Sequence, residues 1–141
     1  MRKILLMGVA LLMMLGSISC NAQESKKAVT STVSSAKVEV YYFHFTRRCN
    51  TCVSVEENAK LALETIYADK VKSGEYTFTG INLDDSSSKA LAEKLGVGGQ
   101  TLLVVCGNNK VDITDKGFMN AHDLEKMEVV IKKAVDNVVI M

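Results

Sequence analysis

The 141-residue sequence contains no proline and no tryptophan, and it carries no excess of either charge. Without proline, no peptide bond has the small cis penalty of an X–Pro bond, and a collagen-like repeat is excluded. Lysine and arginine total 17 against 16 acidic residues, and neither sign forms a long run. The sequence therefore contains no basic segment that could bind along a phosphate backbone, and we expect no nucleic-acid partner.

Apolar residues make up 48% of the sequence and charged residues 23%, which is typical of a packed globular domain and not of a disordered chain. The length suits one ordinary domain and is short for two. Residues 37–141 are predicted to form this domain, because at Lys37 the composition changes from Ser, Thr, Lys and Ala to β-branched and aromatic residues.

Residues 1–19 are predicted to be a secretory signal peptide, with a short basic start, an apolar stretch and then small residues. The small residues before Cys20 resemble a lipoprotein cleavage box, so Cys20 is the predicted lipidation site, and an ordinary signal-peptidase site after Ala22 is the alternative. Residues 20–36 are rich in Ser, Thr, Lys and Ala and are expected to be a flexible tether. The predicted location is the bacterial cell envelope, periplasmic or membrane-anchored, where disulfides persist.

Seven segments of regular structure are predicted after the tether. A mostly apolar strand at 37–45 precedes a helix at about 49–68, whose acidic residues Glu56, Glu57 and Glu64 are expected to face solvent. The remaining elements are strands at 76–83, 101–106 and 111–114 and helices at about 87–95 and 121–138. The order β-α-β-α-β-β-α predicts an α/β domain with a central mixed sheet of about four strands flanked by helices, built from two parallel-type crossovers and a hairpin.

Two cysteines, Cys49 and Cys52, stand where the first predicted strand gives way to the first helix. In this element order a CxxC pair is typical of a thioredoxin-like redox motif. Once Cys20 is assigned to the export signal, Cys106 makes the cysteine count odd, so one pair and one unpaired thiol are expected.

From Val38 onward the chain resembles the thioredoxin-like superfamily, in particular small exported proteins of the bacterial cell envelope. In these proteins the first strand ends in Phe-His, before an Arg-Cys-x-Thr-Cys helix start. The matching residues are Tyr42, Phe43, His44, Arg48, Cys49, Thr51, Cys52 and Glu56, with INLDD after the second strand and GVGGQTLLVV entering the third. The resemblance implies a thioredoxin-like fold and thiol–disulfide chemistry.

The sequence departs from well-studied thioredoxins near the predicted site. A cis-proline normally precedes the third strand, whereas this chain has GGQT at 98–101. A cis bond without proline costs about 2.5 to 4 kcal/mol, so the bond before Gln100 is expected to be trans. In thioredoxins a buried acid assists the second cysteine, and Phe43 stands at that position here. An aromatic residue usually precedes the first cysteine, and Arg48 stands at that position here.

Cys49 is predicted to be the nucleophile. A sulfur at a helix N-terminus faces unpaired N–H groups and the positive end of the helix dipole, and Arg47 and Arg48 add positive charge that favours the thiolate. Cys52 lies one turn later and is predicted to be more buried, which suits it to resolve a mixed disulfide. His44 ends the first strand beside the pair and is predicted to modulate it.

The expected partners are protein thiols and disulfides, or a membrane thiol electron donor, and no cofactor is expected. Gly99, Gln100 and Thr101 lie in the loop before the third strand and are predicted to contact the substrate chain, because glycine lets two backbones approach closely. The direction of electron flow is left open, since neither spacer residue between the cysteines supplies a charge.

Two alternative functions follow from the same cysteines. In one, Cys49 and Cys52 form an inert structural disulfide, although such a short loop adds little closure entropy. In the other, the domain is a non-enzymatic metal-binding or partner-binding module whose dithiol acts as a ligand pair, with His44 as the nearest further ligand.

Overall fold

A computed structural model describes residues 37–141 of the chain. The predicted signal peptide over 1–19 and the predicted tether over 20–36, with Cys20, lie outside the described residues. Within the described range, no helix has both the length and the apolar character needed to cross a membrane.

Four strands form one open mixed sheet in this part of the chain. The strands are β1 (Val38–His44), β2 (Tyr76–Asn82), β3 (Thr101–Cys106) and β4 (Asn109–Asp112), in the order β2-β1-β3-β4. Strand β1 is parallel to β2 and antiparallel to β3, and β3 is antiparallel to β4. The predicted α/β class and four-stranded mixed sheet are confirmed, and the arrangement is consistent with a thioredoxin-like fold.

Five α-helices accompany the sheet in the described residues. They are α1 (Asn50–Ile66), α2 (Ala68–Lys72), α3 (Lys89–Leu95), α4 (Thr114–Met119) and α5 (Leu124–Ile140), with a 3-10 turn at Ser86–Ser88. The sequence analysis missed α2 and α4. A local capping signal marks the start of α4, because the Asp112 carboxylate accepts the Thr114 N–H at 2.9 Å.

The main core lies between one face of the sheet and helices α1, α4 and α5. Alternate residues of β1, namely Val38, Val40 and Tyr42, point to this face and are fully buried. The helices contribute apolar residues at helical spacing: Val55, Ala59, Ala62 and Leu63 from α1, and Met127, Ile131, Ala134, Val135 and Val138 from α5. Residues of β1 and α1 thus belong to one core on either side of the junction between these two elements.

The first crossover, from β1 to β2, connects parallel strands, as predicted. The second, from β2 to β3, does not return the chain to start a parallel strand, so that prediction is wrong. Helix α3 has seven residues and rises about 10 Å, whereas a seven-residue strand extends about 23 Å. The chain therefore remains at the end of the sheet where β2 finishes, and β3 starts there, with Thr101 paired to Phe43. As a result β3 runs antiparallel to β1, and its N-terminal end lies beside the C-terminal end of β1.

The predicted hairpin between β3 and β4 is confirmed. Cys106 pairs with Asn109, so the connection has only Gly107 and Asn108 between the paired residues, and Gly107 adopts a φ of 60°. This left-handed conformation suits glycine because it has no Cβ. Cys106 therefore lies at the hairpin end of β3, opposite Val38 at the start of β1.

Candidate functional site

The two cysteines of the CxxC pair lie at the junction of β1 and α1. Cys49 is the N-cap of α1, in an extended conformation, and its Sγ accepts the backbone N–H of Cys52 at 3.4 Å. The first N–H groups of a helix lack partners within the helix, so a cap sulfur receives their hydrogen bonds and the positive end of the helix dipole. The predicted position of Cys49 at the helix start is therefore confirmed.

The two sulfurs differ in exposure and lie close together. Cys49 is exposed, whereas Cys52 is buried with 7% of its surface accessible, and both are free thiols. Their Sγ atoms are 2.7 Å apart, and either thiol can be the donor. A partner disulfide from solvent can thus reach Cys49 but not Cys52, while Cys52 can reach Cys49.

Near the dithiol, the half-buried Gln100 and the buried Tyr42 form a hydrogen-bonded polar pair. The Gln100 Nε2 donates to the Tyr42 hydroxyl at 3.0 Å, and the Tyr42 side chain is fully buried. Burial, and to a smaller extent the nearby Cys52 sulfur, raise the pKa of Tyr42 to about 12. The phenol therefore remains protonated and neutral beside the dithiol at physiological pH.

The pKa of Cys52 results from opposing effects. Burial raises it, because a thiolate loses hydration, but hydrogen bonds from Cys49, from the Gln100 side chain and from backbone N–H groups lower it, and the net direction is downward. The two thiols are hydrogen-bonded to each other, so the first proton is lost from the pair as a unit. The sequence argument placed thiolate character on Cys49 alone and did not anticipate this contribution from Gln100.

Arg48 forms an ion pair with Glu56 in α1. About a quarter of each side chain is exposed, so the expectation that Glu56 faces solvent is wrong. Glu56 stands one helical turn after Cys52, and a Cβ at Gly80 in β2 would overlap its carboxylate. Much of the Arg48 charge is therefore balanced by Glu56, whereas Arg47 is exposed.

Hydrogen bonds fix the loop between β1 and Cys49 to the loop after β2. The Thr46 N–H donates to the Asp84 carboxylate at 2.7 Å, and the Asn82 amide donates to the Thr46 hydroxyl at 2.9 Å. The hydrogen bond from the Thr46 N–H lowers the pKa of Asp84. These contacts explain why the sequence INLDD after the second strand belongs to the site: it holds the loop that carries Cys49.

His44 lies at the end of β1, with its ring centroid 6.0 Å from that of Tyr42 and its Nδ1 3.0 Å from the Phe45 carbonyl oxygen. Among residues 37–141, no group of three or more His, Cys, Asp or Glu side chains is placed to hold a metal ion. The structure therefore does not bring His44 into a three-residue ligand set with Cys49 and Cys52.

The loop before β3 meets the dithiol through Gln100, which is half-buried. The described residues contain no cis peptide bond, which confirms the trans bond expected before Gln100. The Thr101 hydroxyl donates to the Gly99 carbonyl at 3.0 Å, and a Cβ at Gly99 would meet no atom within 4 Å. Substrate contact by Gly99, Gln100 and Thr101 stays a prediction.

Several contacts of the site were not predicted from the sequence, namely those of Tyr42, Glu56, Gly80, Asn82 and Asp84, although Tyr42, Glu56 and the INLDD segment are among the residues that carry the resemblance. A signal was available for Glu56, because a residue four positions after Cys52 lies on the same helix face. A glycine inside a strand pattern, as at Gly80, is also a recognised sign of close approach by another group. Tyr42 and Asp84 depend on tertiary contacts.

No protein-family model matches the sequence, and no curated protein matches it. The functional argument therefore rests on the CxxC geometry and on the α/β fold, which is compatible with a redox or a binding role for the dithiol.

Proposed function

We propose that the protein is a thiol–disulfide oxidoreductase of the thioredoxin-like superfamily, in which Cys49 attacks and Cys52 resolves. The observation that carries the proposal is the unequal placement of two sulfurs 2.7 Å apart, one exposed at a helix N-cap and one buried behind it. A nucleophile needs access to its target and hydrogen-bond donors for its sulfur. Cys49 is exposed, and its Sγ accepts the Cys52 N–H at the start of the helix.

The reaction proceeds in two exchange steps. The Cys49 thiolate attacks one sulfur of a partner disulfide, a bond from Cys49 to that sulfur forms, and the other partner sulfur leaves as a thiolate. Cys52 then loses its proton and attacks the Cys49 sulfur, which releases the second partner sulfur with its bonding electrons. The partner has gained two electrons, the Cys49–Cys52 disulfide has formed, and the proton lost by Cys52 balances one released thiolate. The reverse sequence oxidises a partner dithiol.

The alternative of an inert structural disulfide is less consistent with this arrangement. A bridge between residues three apart closes a very short loop, so it removes little conformational entropy from the unfolded chain. The exposed position of Cys49 also leaves the bond open to attack, whereas structural disulfides are protected by burial.

The proposed partners are protein thiols and disulfides or a membrane thiol electron donor, in the bacterial cell envelope. Supporting this location are the signal-like residues 1–19 and the lipoprotein-like sequence at Cys20. On the partner-facing surface we place the exposed Arg47 and the partly exposed loop residues Gly99 and Thr101, which stand on either side of Gln100 in the sequence. Arg47 has its charge available for an acidic group on the partner.

A redox titration of the full chain tests the proposal. The protein is equilibrated with glutathione buffers, free thiols are alkylated with a mass tag, and peptides are mapped. We expect Cys49 and Cys52 to change together as a two-electron couple at a potential between about −120 and −300 mV. Cys106 serves as the internal reference and should stay alkylatable. A pair that does not convert anywhere in this range would refute the oxidoreductase function.

A further inference from the structure

Gln100 occupies a position from which its side chain points inward. Thr101 pairs with Phe43, and side chains alternate along a strand, so Gln100 and Leu102 share the sheet face of Tyr42. This is the face that α1 covers, and the N-terminal turn of α1 carries Cys52. The amide of Gln100 thus lies on the sheet face that α1 covers, with its Nε2 bound to the hydroxyl of the buried Tyr42 at 3.0 Å.

A buried sulfur that must become a thiolate needs hydrogen-bond donors, because it has lost its water shell. A glutamine amide carries two N–H donors on one nitrogen. One of these donates to Tyr42, whose hydroxyl is itself close enough to the Cys52 sulfur to interact with it, so the second N–H is available to Cys52. In agreement with this placement, the Gln100 side chain is among the groups that lower the pKa of Cys52. The Tyr42 phenol is itself neutral, so it orients the amide without adding a charge.

We propose that Gln100 is a positioning residue for the resolving step, holding its amide against the Cys52 thiolate while the Tyr42 hydroxyl fixes the amide. The proposal rests on the proposed function, since it assigns a role within the second exchange. In that step the Cys52 thiolate attacks the Cys49 sulfur of the mixed disulfide, the Cys49–Cys52 bond forms, and the partner sulfur leaves with the electron pair. Gln100 stabilises the attacking thiolate and takes no part in bond making.

Other titratable or charged groups lie around this contact. Cys49 is hydrogen-bonded to Cys52, and Tyr42 is close enough to interact with it, while Arg48, Glu56 and His44 lie around Tyr42. Arg48 and Glu56 are paired with each other, so their charges largely cancel. The neutral amide of Gln100 is thus the donor whose removal changes thiolate stability without changing the net charge of the site.

The test uses the full chain with oxidised glutathione as the disulfide. Rapid mixing, acid quench and mass spectrometry follow the glutathione adduct at Cys49 and its conversion to the Cys49–Cys52 disulfide. Gln100→Met keeps a similar length but has no N–H, and Tyr42→Phe removes the hydroxyl that holds the amide. Tyr41→Phe is the matched control, because Tyr41 is the neighbouring tyrosine on the opposite sheet face. Circular dichroism checks that each variant is folded.

We expect Gln100→Met to resolve the adduct about tenfold more slowly at pH 7, the effect of losing one hydrogen bond to a charged group. Tyr42→Phe should slow the step in the same direction by a smaller factor, and Tyr41→Phe should match the wild type. For both site variants the resolution rate should approach that of the wild type as the pH is raised, since Cys52 is then deprotonated even without the Gln100 hydrogen bond. If Gln100→Met does not fold, Tyr42→Phe decides the outcome.

Wild-type resolution rates in the two site variants at every pH, or a slowing that does not depend on pH, would overturn the role of Gln100. Either result leaves the oxidoreductase function intact, because the wild type still completes the reaction. A wild type that forms neither the glutathione adduct nor the Cys49–Cys52 disulfide would instead refute the proposed function.

Discussion

Arg48 and Glu56 form an ion pair that joins the loop before the first cysteine to the second turn of α1. About a quarter of each side chain is exposed, so the pair is partly screened by solvent and partly held in the protein. The ion pair attaches the loop to α1 through Arg48, whereas the neighbouring Arg47 is exposed to solvent. The two adjacent arginines therefore have different roles.

A double-mutant cycle with Arg48→Ala and Glu56→Ala should give a coupling free energy of about 1 kcal/mol in urea unfolding at low salt. The coupling should decrease in high salt, because solvent ions screen a partly exposed pair. Arg47→Ala is the control and should show no coupling to Glu56→Ala. Strictly additive effects of the Arg48 and Glu56 substitutions would show that the ion pair contributes nothing.

Gly80→Ala should destabilise the protein by about 1 to 2 kcal/mol, because the added methyl group overlaps the Glu56 carboxylate and must displace it from Arg48. In a Glu56→Ala background the same substitution should cost little. Gly98→Ala is the matched control, since a Cβ there meets no atom within 4 Å. Thermal unfolding of the wild type, the two single variants, the double variant and the Gly98→Ala control measures the effect, and an equal cost of Gly80→Ala in both backgrounds would contradict the close approach.

Asp84→Ala should destabilise the protein at neutral pH, because the Thr46 N–H loses its acceptor. The pKa of Asp84 is lowered in the folded state, so its contribution to the free energy of unfolding is fully present above the unfolded value of about 3.9. The contribution is lost as the pH falls through the lower folded pKa. Urea unfolding should therefore show a gap between wild type and variant that is constant from about pH 7 to pH 5 and narrows below pH 4.

Asp85→Ala provides the control for this pH profile. Asp85 is adjacent and exposed, and Ser88 donates both its backbone N–H and its hydroxyl to the Asp85 backbone carbonyl and not to the carboxylate. Its substitution should leave the Thr46 contact intact and should produce no comparable gap. If the stability difference between wild type and Asp84→Ala stayed unchanged below pH 4, the Asp84 carboxylate would not be the group that holds the loop.

The parts of the fold that depend on local sequence were predicted well. The apolar, β-branched stretch before the cysteines predicted β1, and the helical spacing after them predicted α1 with Cys49 at its start. The direction of β3 was predicted incorrectly, since a continuous apolar run such as TLLVVC carries no information on strand direction. The short length of α3, which decides that direction, was already visible in the sequence.

The candidate site was only partly predictable, for a related physical reason. Cys49 and Cys52 are neighbours in sequence, so their arrangement follows from helix geometry alone. The contact of Gln100 with Tyr42 joins residues 58 apart, and that of Thr46 with Asp84 joins residues 38 apart. Such contacts depend on strand register and on the path of the loops. The sequence analysis treated Gln100 only as the absence of the expected cis-proline, and it therefore did not predict that the Gln100 amide faces the interior.

The division of labour between the two cysteines is tested most directly by trapping the mixed disulfide. Cys52→Ser treated with oxidised glutathione at neutral pH should retain one glutathione on Cys49, located by peptide mapping, because no second sulfur can displace it. Cys49→Ser should acquire none on the buried Cys52 over the same time, and the wild type should end as the Cys49–Cys52 disulfide. Glutathione on Cys52 in place of Cys49, or no stable adduct in Cys52→Ser, would contradict the account.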